Sequence, residues 1–486
     1  MSLTSKLKSA GLWQSLQVLI QIVTQFGYIA VMARLLSKAD FGLMAIANGF
    51  IGIGMLFSTA GMGSALIQYK NPTQKHINSA LQGSFLLSLL VFLIIYFSSS
   101  SIAEFYKQPE LEIIVKIIGL GIILNSINSI SRSLLQKHFK FKITTNITVF
   151  ATIIGYGVGV ILALSDYGVW SLIIATLIIS FLNAFFMFYF APVEISLKFY
   201  YEEFKELFSF GFGMILLSIN NYLSGSGLNL ILGKIMVPSQ LGVFERTNQI
   251  KTLPGSYIGN VLDTIMFPAM AGIQDESERL FRVFQHSLGL VNSILMPVTI
   301  FLILFSKEVV LIVLGDKWLE AVVPLQIMFL VLPLSSSGRM ADSVVRATGL
   351  IYKNVIRKFL YVLVLITSVA IGGSIYGLIG AAVAVTFSYL FNYVLMLVLV
   401  KQIFNKSPNE IFIKPIWAGL KLTLLVLVPI VVFTTLLNAW EHESIFKFIL
   451  ITLMVGVTAL SIAWKMPSLM GIYLHDTIKQ LIKKKK

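Results

Sequence analysis

Charged residues are scarce in this sequence: only 12% of its 486 residues are Asp, Glu, Lys or Arg, about half the proportion in soluble domains. Cysteine is absent, which excludes disulfides, a thiolate nucleophile and a cysteine-ligated metal. The five histidines lack metal-ligand spacing and are predicted to be solvated or interfacial. No Walker motif and no serine–histidine–aspartate arrangement occurs. The sequence therefore predicts a protein that is not an enzyme and carries no cofactor or metal.

Apolar residues make up 57% of the chain, and they lie in long runs. The run at 86–95 shows no alternation of polar and apolar residues, which favours helices over the strands of a barrel. Because a helix needs roughly 20 apolar residues to cross a bilayer, the chain has room for about fourteen spans. The predicted fold is an all-α polytopic membrane protein with spans near 11–33, 41–67, 78–102, 111–134, 146–164, 168–190, 209–232, 241–271, 284–305, 323–345, 357–375, 377–400, 415–437 and 445–464. Very short turns make hairpins of 146–190 and 357–400.

The 37 Lys and Arg residues outnumber the 22 Asp and Glu residues, which gives a net charge of +15. With fourteen spans, the loops on the side of both termini hold several times more Lys and Arg than the opposite loops. This asymmetry predicts that both termini are cytoplasmic. The positive charge is therefore interpreted as a topology signal, with no nucleic-acid partner, and the 483–486 tail is predicted to touch anionic lipid headgroups.

An internal repeat relates the two halves of the chain. The segment 234–243 aligns with 34–43 at an offset of 200 residues, and Gly211 and Asn248 align with Gly11 and Asn48 in the same register. The predicted organisation is an N-lobe of six spans (1–192), an interfacial amphipathic helix (193–210), a parallel C-lobe of six spans (211–401), and a last pair of spans with a basic tail (402–486). Parallel repeats with a central cavity between them are typical of transporters.

Polar residues recur at helical spacing inside several predicted spans. Burying a charge in lipid costs at least about 2.5 kcal/mol, so such residues are expected to face a water-filled cavity or to pair internally. The alternative interpretation is that the amide and hydroxyl side chains form hydrogen bonds between neighbouring helices. Asp342 is expected to pair with Arg339 or Arg346, and Lys251 is predicted to snorkel or to pack between helices. The main stripes contain Gln14, Gln17, Gln21, Gln25 and Tyr28; Asn125, Ser129, Arg132 and Gln136; Glu245, Gln249, Thr252, Ser256, Asn260 and Asp263; and Ser335, Arg339, Asp342 and Arg346.

Two segments near the N-terminus, RLLSKADFG at 34–42 and TAGMGSALIQ at 59–68, resemble bacterial polysaccharide exporters of the Wzx type. These exporters belong to the multidrug/oligosaccharidyl-lipid/polysaccharide (MOP) superfamily. The segments FKELFSFG at 204–211 and FPA at 267–269 are similar to the same family. Spans thirteen and fourteen carry little of the likeness.

The resemblance implies a flippase that moves undecaprenyl-pyrophosphate-linked oligosaccharide from the cytoplasmic to the outer leaflet of the bacterial inner membrane. Alternating access would expose a cationic cavity to each side in turn. A monomer is expected, alongside the polymerase and glycosyltransferases of the same pathway. Candidate substrate-binding residues are Arg246, Arg339, Arg34, Arg132, Gln21, Gln25, Gln249, Asn221 and Asn260, and candidates for ion coupling or ion pairing are Glu245, Asp263 and Asp342.

Three alternatives remain open at this point. A multidrug antiporter of the same superfamily would favour an acidic, aromatic cavity for organic cations, whereas the polar residues here are mixed with a basic bias. A lipid II flippase would differ only in the headgroup of its substrate. A membrane polysaccharide polymerase or ligase would need a long outer loop with catalytic groups, and the predicted outer loops are short.

Overall fold

A computed structural model describes residues 3–59, 61–194, 196, 198–407, 409–438, 450–452 and 454. These residues contain helices and no strand, and ten of their segments are long and apolar enough to cross a membrane. The prediction of an all-α multi-pass membrane protein is confirmed. The count of fourteen spans and the cytoplasmic placement of both termini stay predictions, and most of the predicted span 445–464 lies outside the described residues.

The chain divides into two compact units, Met1–Glu245 and Arg246–Lys486. In the first unit, α7 packs against both α1 and α8, and α2 packs against α4 and α6. Its helices are α1 Leu3–Leu35, α2 Lys38–Thr59, α3 Met62–Gln68, α4 Gln74–Tyr106, α5 Glu110–Ile118, α6 Leu120–Lys137, α7 Phe141–Leu164, α8 Val169–Phe190, α9 Tyr201–Ser224, α10 Gly227–Ile235 and the start of α11 Pro238–Ala271.

The second unit holds the rest of α11 and a core in which α12 packs against α15 and α17. A short 3₁₀ helix (Asp316–Ala321) and a π-helical turn (Asn409–Ile413) connect its longer elements. The helices are α12 Ser277–Leu304, α13 Ser306–Val313, α14 Val322–Phe329, α15 Val331–Ala347, α16 Ile351–Phe404 and α17 Lys414–Asn438.

Both predicted hairpins are confirmed. Gly168 has φ +52° and separates α7 from α8, and Gly377 has φ +56° and reverses the chain within the residues of α16. This region of φ is easily reached only by glycine, so the two turns need glycine at these positions. Ser368 precedes the second turn and Ser388 follows it. Their Oγ atoms lie 2.8 Å apart, which places the two arms of α16 side by side.

The helix predicted over 193–210 is wrong in its first half. The described residues between Ala191 and Tyr200 are not helical, and α9 begins at Tyr201 and continues without a break into the next predicted span. Side chains of α4 satisfy the backbone of this connection: Ser196 N–H donates to Asn78 Oδ1 (3.2 Å), and Tyr200 N–H donates to Ser79 Oγ (3.2 Å). Because α4 takes up these donors, an extended chain is stable without helical hydrogen bonds.

Within the first unit, the aligned segments of the repeat contact each other through glycine. A Cβ added to Gly42 would lie 1.8 Å from the carbonyl oxygen of Pro238, and one added to Gly242 would lie 2.0 Å from that of Lys38. Pro238 and Gly242 are the residues that the repeat aligns with Lys38 and Gly42. The first turns of α2 and α11 therefore meet in a nearly symmetrical contact that only glycine permits. The six-span lobes at 1–192 and 211–401 stay predictions.

Candidate functional site

Arg132 lies on α6, in a segment that is apolar enough to cross a membrane. Its side chain is half-buried and forms no ion pair or hydrogen bond with any residue that the structure describes. One turn earlier on the same helix face, the buried Oδ1 of Asn128 also accepts no hydrogen bond from these residues. The neighbouring Ser129 and Ser133 instead pack against Gly63 of α3. An unpaired guanidinium beside an amide is chemically suited to an anionic ligand.

On α1, the predicted glutamine stripe is only partly available to a ligand. Gln17 is 8% exposed, and its Oε1 accepts a hydrogen bond from Thr145 Oγ1 (3.2 Å), so it joins α1 to α7. Gln21 and Gln25 are half-buried, and their side chains form no hydrogen bond with the described residues. Tyr28 stacks on Tyr156 of α7 with ring centroids 3.9 Å apart. Within the stripe, Gln17 therefore holds α1 against α7, whereas the amides of Gln21 and Gln25 are suited to hydrogen bonds with sugar hydroxyls.

The remaining predicted residues of the first unit lie at other places. Arg34 is exposed and donates a hydrogen bond from Nη1 to the carbonyl oxygen of Ala30 (2.8 Å) at the end of α1. Asn221 is exposed on α9. Glu245 accepts a hydrogen bond at Oε2 from Asn229 Nδ2 (3.0 Å), which joins α11 to α10. Glu245 is therefore engaged in a helix-to-helix contact.

In the second unit, Arg246, Gln249 and Arg339 are half-buried on α11 and α15. The buried Oε1 of Gln249 accepts no hydrogen bond from the residues that the structure describes. The side chains of Asn260 and Asp263 lie outside the described part of the chain, although their backbone belongs to α11. The predicted roles of these five residues stay predictions.

Asp342 does not pair with Arg339 or Arg346 as expected; its carboxylate binds Arg357. Nη2 of Arg357 lies 2.9 Å from Asp342 Oδ1, and Nζ of Lys358 lies 3.9 Å from Oδ2. Arg357 also donates from Nε to Asn354 Oδ1 (2.9 Å) and from Nη1 to Asn392 Oδ1. Arg339 and Arg346 share a helix with Asp342, whereas Arg357 approaches it from α16, so the observed pair joins two elements.

The comparisons with known proteins agree with this architecture. The model of the polysaccharide biosynthesis protein family matches residues 31–323, more than half of the chain. The chain belongs to this family. The lipopolysaccharide biosynthesis protein WzxC of Escherichia coli is 25% identical over 435 residues, which are 88% of this chain and 87% of WzxC. The resemblance found in the segments 34–42 and 59–68 is thereby confirmed.

Two solved structures show the same fold. The lipid II flippase MurJ in an inward closed conformation superposes with a TM-score of 0.73 at 18% identity, over 97% of this chain and 99% of MurJ. An inward-facing multidrug resistance MATE family transporter of the MOP superfamily gives a TM-score of 0.64 at 16% identity, over 82% and 99% of the two chains. The family and the named relatives indicate a transporter rather than an enzyme, and the fold is the one seen in these two solved transporters.

Sequence reasoning missed the most buried arginine of this family member's second unit. Arg357 is 5% exposed, although its position at the start of the predicted span 357–375 is typical of a positively charged loop residue. The spacing of Asn354, Arg357 and Tyr361 puts all three on one helix face, and this pattern could have indicated a buried polar cluster. Lys251 is likewise 5% exposed, with Nζ 5.2 Å from the ring centroid of Tyr389, so it packs between helices and does not snorkel.

His76 is 8% exposed, so the structure does not show it as a solvated side chain, and an interfacial position stays a prediction. Its Nδ1 lies 2.8 Å from Thr73 Oγ1, and its Nε2 lies 3.4 Å from Glu206 Oε2. Thr73 stands three residues before His76 and caps α4, and this local pairing could have been read from the sequence. Its second partner, Glu206 on α9, is 130 residues away, so this contact could not have been read from the sequence.

Proposed function

We propose that this protein, a flippase of the MOP superfamily, moves a lipid-linked oligosaccharide from the cytoplasmic to the outer leaflet of the bacterial inner membrane. The lipid tail stays in the bilayer, and the sugars and the pyrophosphate cross in a polar cavity by alternating access. The family match, the likeness to WzxC and the many membrane-spanning helices support the proposal.

Arg132 carries the proposal, because it is a guanidinium in a membrane-spanning segment with no partner among the described residues. Burying such a group is unfavourable unless something compensates its charge. A diphosphate supplies that compensation through forked, charge-assisted hydrogen bonds. Gln21, Gln25 and Asn128 offer hydrogen bonds to neighbouring hydroxyls. In this proposal Arg246, Arg339 and Arg34 assist at other stages of transport.

Outward movement of an anionic substrate is favoured by an inside-negative membrane potential, at about 2.3 kcal/mol per charge per 100 mV. We propose that this potential contributes to the direction of transport. Asp342 serves as an ion-pair partner of Arg357 in this account, and Glu245 and Asp263 remain the candidates for ion coupling.

The charge of Arg132 also separates the proposal from its main alternative. A multidrug antiporter that binds organic cations would gain nothing from an unpaired guanidinium, because like charges repel. A lipid II flippase would use the same diphosphate chemistry, so it differs from the proposal in the sugars alone.

The test is to restore surface glycan in a strain that lacks the gene, using wild-type protein, Arg132→Lys or Arg132→Ala. Loss of a charge-assisted, forked contact worth about 1.5–3 kcal/mol should reduce export about 10- to 100-fold for Arg132→Ala. Arg132→Lys keeps the charge and should retain part of the activity.

Arg279 is the matched control, since it is an exposed arginine that pairs with Glu276 at 3.0 Å on the surface of α12. Arg279→Ala should export at the wild-type rate. Wild-type export by Arg132→Ala, at equal protein level in the membrane, would contradict the site assignment. Unchanged glycan together with new sensitivity to cationic dyes in the deletion strain would favour the antiporter.

A further inference from the structure

A cavity of about 350 Å³ lies in the first unit, where the end of α3 meets the start of α9. Neither the proposed transport site nor the ion pair at Asp342 includes it. Its lining combines one aromatic ring, one carboxylate, one amide and one ammonium group with two apolar side chains. The lining residues are Ala65, Gln68, Tyr69, Lys70, Glu206 and Leu207.

The carboxylate of Glu206 is held at one oxygen only. Oε2 accepts hydrogen bonds from Tyr69 Oη (3.1 Å) and from His76 Nε2 (3.4 Å). Thr73 N–H donates to His76 Nδ1 (3.4 Å), which assigns the imidazole proton to Nε2. Oε1 accepts no hydrogen bond from the described residues. Three residues therefore orient this carboxylate and leave one oxygen for a ligand.

Tyr69, which also lines the cavity, is held by contacts of its own. Its ring packs against the imidazole of His76 with centroids 4.7 Å apart, and its carbonyl oxygen accepts a hydrogen bond from Lys137 Nζ. The nearby Glu206 carboxylate raises the pKa of the Tyr69 hydroxyl through their hydrogen bond, so Tyr69 stays protonated and donates. Tyr69 remains 38% exposed beside the cavity, and its ring can receive the apolar face of a ligand.

The charge balance of the cavity selects among ligands. The negative charge of Glu206 balances the positive charge of Lys70, and a diphosphate would be repelled by the Glu206 carboxylate. Neither Gln68 nor Lys70 forms a side-chain hydrogen bond or ion pair with another described residue. The cavity therefore offers the Glu206 carboxylate as an acceptor, the Lys70 ammonium as a donor, and the Gln68 amide as both. A neutral polyol, whose hydroxyls donate and accept, matches this set.

We infer that this cavity is a glycan subsite that binds one or two sugar units of the oligosaccharide headgroup. The inference rests on the proposed function and deepens it, because it places sugar recognition apart from the diphosphate at Arg132. The sequence predicts a cytoplasmic position for the loop after α3, the side on which a headgroup would be recognised before transport. Glu206 accepts hydrogen bonds from sugar hydroxyls, Tyr69 stacks on the ring, and His76 is a positioning residue.

The test uses the free oligosaccharide that mild acid releases from the lipid-linked intermediates of cells lacking the gene. Equilibrium dialysis of the radiolabelled oligosaccharide against purified full-length protein measures its binding. Glu206→Gln keeps the shape of the side chain and should weaken binding about tenfold, the effect of losing one or two hydrogen bonds to a charged acceptor. Tyr69→Ala should weaken binding at least as much, and Tyr69→Phe, which keeps the ring, should weaken it less.

Glu202→Gln is the matched control, since Glu202 is an exposed acid on the same helix that does not line the cavity. It should bind like the wild type. In transport, Glu206→Gln should raise KM and leave the maximal rate unchanged, whereas a merely structural role would lower the maximal rate and the melting temperature. Absence of saturable binding to the wild type, or equal binding by Glu206→Gln, would overturn the subsite.

Arg132→Ala, measured in parallel, separates the two proposals. It should keep the affinity for the free oligosaccharide and lose transport. Transport that survives Arg132→Ala while Glu206→Gln still weakens binding would remove the diphosphate site and leave the glycan subsite in place.

Discussion

Arg357 shows how a charge is accommodated inside the second unit. Its guanidinium is 5% exposed and meets three side-chain oxygens, those of Asp342, Asn354 and Asn392. The three acceptors come from α15 and from both arms of the α16 hairpin, so the arginine connects all three segments. A pair of this kind is costly to break, because the partner that remains keeps a buried charge.

We therefore predict strong coupling between Arg357 and Asp342. Arg357→Met and Asp342→Asn should each destabilise the protein, by about 3 kcal/mol for the arginine, and the double variant should cost clearly less than the sum. Thermal unfolding in detergent measures all three, with Arg279→Ala as a surface control that should leave stability unchanged. Strictly additive effects would contradict the ion pair.

The sequence allowed some of these residues to be placed and not others. The charges of Arg132, Arg339 and Asp342 inside apolar runs were visible, because a charge in a span stands out against its neighbours. The partner of Asp342 was not, since Arg357 stands at the edge of a span and reads as a loop residue. The contact of Glu206 with His76 and Tyr69 joins two helices that are far apart in sequence, and no periodicity encodes it.

Glycine determines how closely the helices of the first unit approach. Gly42 and Gly242 bring the first turns of α2 and α11 together, and Gly155 lets α7 approach Ile179 and Ala175 of α8. Gly157, two residues along α7, has no atom within 4 Å of the position of a Cβ. Residues of the same type on one helix thus have different roles.

Gly42→Ala and Gly242→Ala should each destabilise the protein by about 1–3 kcal/mol, because the added methyl group would overlap backbone atoms that side-chain rotation cannot move. Gly157→Ala should be neutral or stabilising by up to about 1 kcal/mol, since alanine favours the helix. Melting temperatures of the three variants in detergent test this. Equal stability of Gly42→Ala and Gly157→Ala would refute the close contact.

Hairpins and spans followed from the sequence because apolar run length and turn glycines are local signals. The helix predicted over 193–210 failed because the backbone of this connection is satisfied by Asn78 and Ser79 of α4, more than a hundred residues away. An amphipathic pattern does not reveal that distant side chains will accept hydrogen bonds from this backbone in place of helical partners.

At the scale of the whole molecule, the distribution of Lys and Arg predicts that both termini are cytoplasmic. The absence of cysteine makes this directly testable, since an introduced thiol is the only one in the chain. In intact spheroplasts, a membrane-impermeant maleimide should label Glu110→Cys, in a predicted outer loop, and should label Asp275→Cys only after lysis. The reverse pattern would invert the topology.

The central claim is the movement of a lipid-linked oligosaccharide across the bilayer, and reconstitution tests it most directly. Purified protein in liposomes that contain the lipid-linked oligosaccharide should carry the sugars between leaflets, measured as a protein-dependent change in the fraction that an external glycosidase cleaves. The rate of this protein-dependent movement should fall about 10- to 100-fold with Arg132→Ala and should stay at the wild-type level with Arg279→Ala. No protein-dependent movement of the oligosaccharide, with uptake of a cationic dye by the same liposomes, would contradict the account.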